Sequence, residues 1–126
     1  MENQCADTIA EQGYLVHQNP TQHEILDAWR ITGDVGDPKR SPDYLIEGHV
    51  FDCYSPMGPT SPRAVSSAVS RKVTRSQTQR VVLNLHDWRG DLGALRQQFE
   101  KWPVPGLKEL VAVTQTGRIV QIVRRD

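Results

Sequence analysis

Cysteine is nearly missing from this chain of 126 residues: Cys5 and Cys53 stand far apart and match no zinc-ligand spacing. Two lone thiols with no secretory h-region ahead of the first helix read as buried, reduced side chains in a reducing compartment, the cytoplasm. Long apolar runs are missing as well. Nothing approaches the roughly 20 residues of a membrane span, so no stable membrane association is expected of this domain. Net charge is also lacking, because 15 basic and 15 acidic side chains cancel. Bulk charge therefore exerts no pull toward nucleic acid, and any basic site must come from local clustering. No internal repeat or low-complexity tract breaks the chain.

The length suits one domain over 1–126 with a single core. A hydrophobic fraction of 37% and a charged fraction of 24% fit a soluble globular protein. Residues 2–12 read as a helix carrying Cys5, Ala6 and Ile9 on one side and ended by Gly13. YLVHQ reads as a strand. Thr21 and Glu24 have capping-box spacing before a helix near 22–30. A turn-rich loop, GDVGDPKRSP, precedes a hairpin over 43–54, and SPMGPTSP follows as a loop expected to be mobile in the free protein. Ser61-Pro62 opens a helix expected to run to about Gln79. RVVLNL, at 80–85, has the continuous apolar character of a strand covered on both faces. Leu92, Leu95 and Phe99 mark a helix ending at Trp102, and LVAVTQ and IVQIV close the chain as a hairpin turned at Thr116-Gly117. The order α-β-α-β-β-α-β-α-β-β describes an α/β or α+β domain, a mixed sheet flanked by helices.

The hairpin SPDYLIEGHVFDCYSP raises a question of charge. With Glu47-Gly48 at the turn, Ile46 faces His49, Leu45 faces Val50, Tyr44 faces Phe51, and Asp43 faces Asp52. Directly opposed residues have Cβ atoms about 4.5–5.5 Å apart, and like charges there destabilise the pair. At a wet sheet edge screening makes the repulsion small, and Asp43 after Pro42 also suits a turn. The neighbours are apolar, however. Alternation puts Asp43, Leu45, Val50, Asp52 and Tyr54 on one face and the core-like Tyr44, Ile46, Phe51 and Cys53 on the other. A hard divalent cation would turn two close carboxylates from a penalty into a ligand set.

A lysine is aimed at the same region. On the helix opened by Pro62, Val65, Ala68, Val69 and Val73 form the apolar stripe, and Lys72 lies near its middle. Such a lysine either snorkels to the surface or meets an anion beneath the helix. The segment 61–80 also carries Arg63, Arg71, Arg75 and Arg80 and no acid.

Pro42-Asp43, the second strand acid Asp52 and a lysine together resemble the constellation of the PD-(D/E)XK nucleases. ENQCADTIAEQGYLVHQNP, PDYLIEGHVFDCYSP, KVTRSQTQRVVLNLHDW and GLKEL more specifically resemble the C-terminal nuclease domains of contact-dependent growth inhibition toxins, the CdiA C-terminal domains. The likeness covers most of the chain outside 21–40. It implies a PD-(D/E)XK-like fold and catalytic positions at Glu2, Asp43, Asp52 and Lys72. Asp43 and Asp52 would hold a divalent metal, Mg2+ first and Mn2+ or Zn2+ next. Tyr54 stands where the superfamily's D-x-K lysine falls, and Lys72, moved to the following helix, would replace it. The family implies a metal-dependent endoribonuclease acting on tRNA, delivered as the tip of a larger effector into a target cell's cytoplasm and held inactive at home by a cognate immunity protein. Arg63, Arg71, Arg75 and Arg80 would hold flanking phosphates.

Three other readings compete. A DNase of the same fold would use the same acids. A metal-independent ribonuclease would draw its acid and base from Lys72 and from His17, His23, His49 or His86, though His49 falls on the core-like face and His86 follows a buried strand. A non-catalytic binding module fits the neutral charge but not a lysine on an inward stripe.

Overall fold

Thr21 and Glu24 form the reciprocal cap that their spacing predicts. The Thr21 hydroxyl accepts from the Glu24 amide at 3.2 Å, while Glu24 Oε1 accepts from the Thr21 amide at 3.0 Å. In this computed structural model the described residues are 8–11, 13–18, 20–34, 44–75 and 79–125. They comprise strands β1 (Val16–Gln18), β2 (Tyr44–Ile46), β3 (His49–Tyr54), β4 (Arg80–Asn84), β5 (Glu109–Val113) and β6 (Ile119–Arg124). The helices are α1 (Gln22–Thr32), α2 (Pro62–Thr74) and α3 (Leu92–Lys101), with residues 8–11 also helical.

The six strands form one sheet in chain order, β1 to β6. The outer pairings are antiparallel, and β3–β4 and β4–β5 are parallel. This is the mixed α+β sheet expected from the element order. The β2–β3 register is also the expected one: Tyr44 opposite Phe51, Leu45 opposite Val50, Ile46 opposite His49. Glu47 and Gly48 make the turn with φ of 49° and 80°, the paired left-handed conformation whose twist matches a two-residue hairpin.

Two crossovers in the same direction put α2 and α3 on one face of the sheet, as right-handed connections require. There Val65 and Val69 of α2 and Leu95 and Phe99 of α3 pack on Val81, Leu83, Leu110 and Ala112. The neighbouring part of that face, Leu45 and Val50, lies under Ile25, Ala28 and Trp29 of α1. Ile9 covers the opposite face at Tyr44, Ile46, Phe51 and Cys53. Both faces of β4 are thus covered, and all five of its residues are buried. Cys53 is buried as a thiol, as expected of a structural cysteine; Cys5 lies outside the described residues.

Two elements differ from expectation. Helix α2 ends at Thr74, capped at Arg75, rather than running to Gln79. Its apolar stripe has no successor after Val73, because Ser76 and Gln77 occupy the positions that would face the core. The loop after β3 is pinned rather than loose: the Trp88 indole N–H donates to Thr60 O at 2.7 Å, the Arg89 amide donates to Gly58 O at 3.2 Å, and Pro56 is buried.

Candidate functional site

Strand β3 carries Asp52 on the face that α2 crosses, and α2 carries Lys72 on the stripe that faces β3. The two side chains meet. Lys72 Nζ lies 2.7 Å from Asp52 Oδ2, with Asp52 4% exposed as a residue and the lysine side chain 22% exposed. At this distance the contact is a charge-assisted hydrogen bond. Val50 and the half-buried Tyr54 share that face of β3 with Asp52, and at 4% exposure the carboxylate has lost most of its water. A carboxylate at such a depth is not at a wet sheet edge, and removing its partner is costly. Lys72 does not snorkel away.

The remaining expected site residues divide three ways. Glu2 and Asp43 lie outside the described residues. Arg63, Arg71 and Arg75 are exposed along α2 and its cap. Arg80 does not belong with them. It is 5% exposed, and its guanidinium donates to Asp34 Oδ2 at 2.6 Å and to Glu109 Oε1 at 2.5 Å. The expectation that Arg80 grips substrate phosphate fails on burial: the first residue of a doubly covered strand has no path to solvent.

Arg80 belongs instead to a charge cluster where β3, β4 and β5 begin. Asp34, just past the C-terminal cap of α1, is 4% exposed and also meets Lys108 Nζ at 2.8 Å and His49 Nδ1 at 3.4 Å. Burial would raise the Asp34 pKa, but hydrogen bonds from Arg80 and Lys108, the Arg80 charge and the His49 contact outweigh it and hold it at about 2. Burial likewise works against the Arg80 charge, while hydrogen bonds and charge from Asp34 and Glu109 push its pKa above the ordinary value. Sequence reading missed this cluster, since its members lie in separate segments. One signal was present: Arg80 and Glu109 each open an apolar strand, and parallel pairing sets them opposite one another.

Each histidine faces a carboxylate: His17 with Glu24 at 3.0 Å, His23 with Asp27 at 3.3 Å, His49 with Asp34 and His86 with Asp87 at 4.0 Å. No described contact joins one to Lys72 or Asp52, so a histidine–lysine acid–base pair has no geometric support among the described residues. For a hard divalent cation the donor type is right, since Asp52 keeps Oδ1 beyond the oxygen that Lys72 holds. Among the described residues no group of three or more His, Cys, Asp or Glu side chains stands together to hold a metal. Asp43, the other ligand that the resemblance implies, lies outside the described residues.

The family model for the contact-dependent growth inhibition CdiA C-terminal domain matches residues 39–119. The curated protein "tRNA nuclease CdiA-2" of Burkholderia pseudomallei (strain 1026b) is 36% identical over 121 residues, 96% of this chain. The chain spans only 3% of the length of that relative. Among solved structures, the CdiA-CT/CdiI toxin and immunity complex from Burkholderia pseudomallei is similar at a TM-score of 0.77 and 35% identity. The match covers 95% of this chain and 80% of that one.

Proposed function

Because the chain belongs to the family of contact-dependent growth inhibition CdiA C-terminal domains, we propose that it is a nuclease toxin that cleaves tRNA by hydrolysing a phosphodiester bond. The observation that carries this reading is the 2.7 Å Lys72–Asp52 contact, set beneath a helix with three exposed arginines and no acid. The similarity to a tRNA nuclease supports the substrate class.

Lys72 and Asp52 have complementary roles. The Lys72 ammonium, held on the inner flank of α2, turns toward the scissile phosphate or orients the attacking water; either way its positive charge meets negative charge that grows in the transition state. Asp52 holds that ammonium in place and, with Asp43, would hold a divalent cation, Mg2+ first. Bound there, the cation would supply Lewis-acid stabilisation of charge on the phosphate. Arg63, Arg71 and Arg75 hold flanking phosphates and set the register of the strand without reading its bases.

Two further parts of the reading rest on the relatives. The similar structure is a toxin with its immunity protein, which supports a cognate immunity partner here; against α2 that partner would present acidic side chains. The great length of the curated relative supports delivery as the tip of a larger effector, with action in the target cell's cytoplasm.

The deciding experiment incubates the purified chain with tRNA and with DNA, with and without EDTA, beside Asp43→Ala, Asp52→Ala and Lys72→Ala. Metal-dependent loss of tRNA that all three substitutions abolish is the expected result. DNA cleavage with intact tRNA would move the assignment to a DNase, and EDTA-resistant tRNA cleavage would remove the metal.

A further inference from the structure

Three tryptophans are present, and two are buried, Trp29 at 8% and Trp88 at 1% exposure. Trp102 is 62% exposed, at the C-terminal cap of α3. It lies on an open groove of about 330 Å³ between α2 and α3. Arg63, Ser67 and Ser70 of α2 form one wall, Gln98 and Trp102 form the other, and Ser66 and Val104 are the buried floor. Among the described residues no acidic side chain lines it.

At 3.6 residues per turn Arg63 stands on the flank of α2 opposite Lys72, about 13.5 Å further back along the axis. Arg71 projects from the outward face between the two flanks. A phosphate chain leaving the Lys72–Asp52 site can therefore cross α2 over an arginine and descend into the groove. An exposed indole beside a guanidinium and a row of hydroxyls has the make-up of a base-stacking platform with a phosphate clamp.

We propose that this groove is a substrate exosite, in which Trp102 stacks on an unpaired base of the RNA and Arg63 holds its phosphate, away from the bond being cut. This rests on the nuclease reading, and it makes Trp102 and Arg63 positioning residues.

The test is a titration of indole fluorescence with unfractionated tRNA in an Asp52→Asn background, paired with steady-state cleavage by the otherwise unaltered chain. With the other two indoles buried, binding should quench Trp102. Trp102→Ala should raise KM about tenfold, within the range expected for losing one stacked base, with kcat within twofold. Trp102→Phe should restore most of the affinity. Arg63→Ala should raise KM and lower the salt slope of binding by about one. Both side chains are exposed, so melting temperatures should not move. An unchanged KM in Trp102→Ala, or a fall confined to kcat, would overturn the exosite. So would variants that bind tRNA normally and lose affinity only for a co-purified inhibitor protein; the groove would then be a protein-docking face. A chain that never cleaves tRNA sinks the nuclease reading instead, and the fluorescence titration still decides the groove.

Discussion

Removing Lys72 and removing Asp52 break the same contact but strand different partners. Lys72→Ala leaves a carboxylate with its side chain only 6% exposed and no ammonium beside it, and should cost about 3 kcal/mol or more in urea unfolding. Asp52→Ala leaves a lysine that is 22% exposed on a long stem able to reach water, so its cost should be about 1 kcal/mol. On turnover both should lose about a hundredfold or more, and Lys72→Arg should rescue poorly, because a planar fork does not fill an ammonium's place. If Lys72→Ala turned over normally while Arg71→Ala did not, the basic catalytic group would be an arginine. Asp34 gives a second residue-scale test. Its folded pKa of about 2 lies below the ordinary carboxyl value of 3.8. The stability it supplies is therefore complete above about pH 4, fades as pH falls through 2, and amounts to about 2 kcal/mol. Asp34→Asn should flatten that acid limb of the stability profile and lower stability at neutral pH, measured by chemical unfolding across pH. The meeting of Lys72 with Asp52 could be read from helical phase and strand alternation, since both partners lie on regular elements. The Asp34 cluster could not, because its acid sits past a helix end, where no period tells which way a side chain turns.

At the scale of elements, beginnings were more legible than ends. Thr21 and Ser61 announce helices through side chains that accept a specific amide, and both caps form. The end of α2 carries no such signal, only the lapse of an apolar stripe. Loop 55–61 reads as loose from its prolines and glycines, yet distant Trp88 holds it. Gly90 is what lets that indole in: a Cβ there would lie 2.1 Å from Trp88 Cζ2. Gly90→Ala should accordingly displace Trp88, lower the melting temperature and speed proteolysis within 55–61, whereas Gly93→Ala, with Asp91 Oδ2 at 3.2 Å as its nearest neighbour, should be mild. Limited proteolysis with mass mapping distinguishes the two. Helix caps can be tested in the same way: Ser61→Ala should cost about 1 kcal/mol, since it frees the Ala64 amide at the head of α2.

For the whole molecule, the neutral total charge hides a segregation that the chain makes through α2, whose exposed arginines have no acid among them. Raising salt should therefore weaken tRNA binding steeply although the protein is neutral, with a slope that counts the phosphates it touches. Chelation should abolish cleavage and leave tRNA binding by the arginines largely intact, as a gel-shift titration in EDTA would show. The order of strands in the sheet has another consequence. Because β1 to β6 stand side by side in the order in which they are synthesised, every strand pairs only with its neighbours along the chain. Pairing of the sheet joins each strand to its chain neighbour and never waits for β1 and β6 to meet; the packing of Ile9 in one cluster with Val113 and Ile119 is what brings the two ends together. A molecule threaded end-first through an opening too narrow for the folded sheet would rebuild on the far side as a zip closes, tooth after tooth from whichever end emerges first.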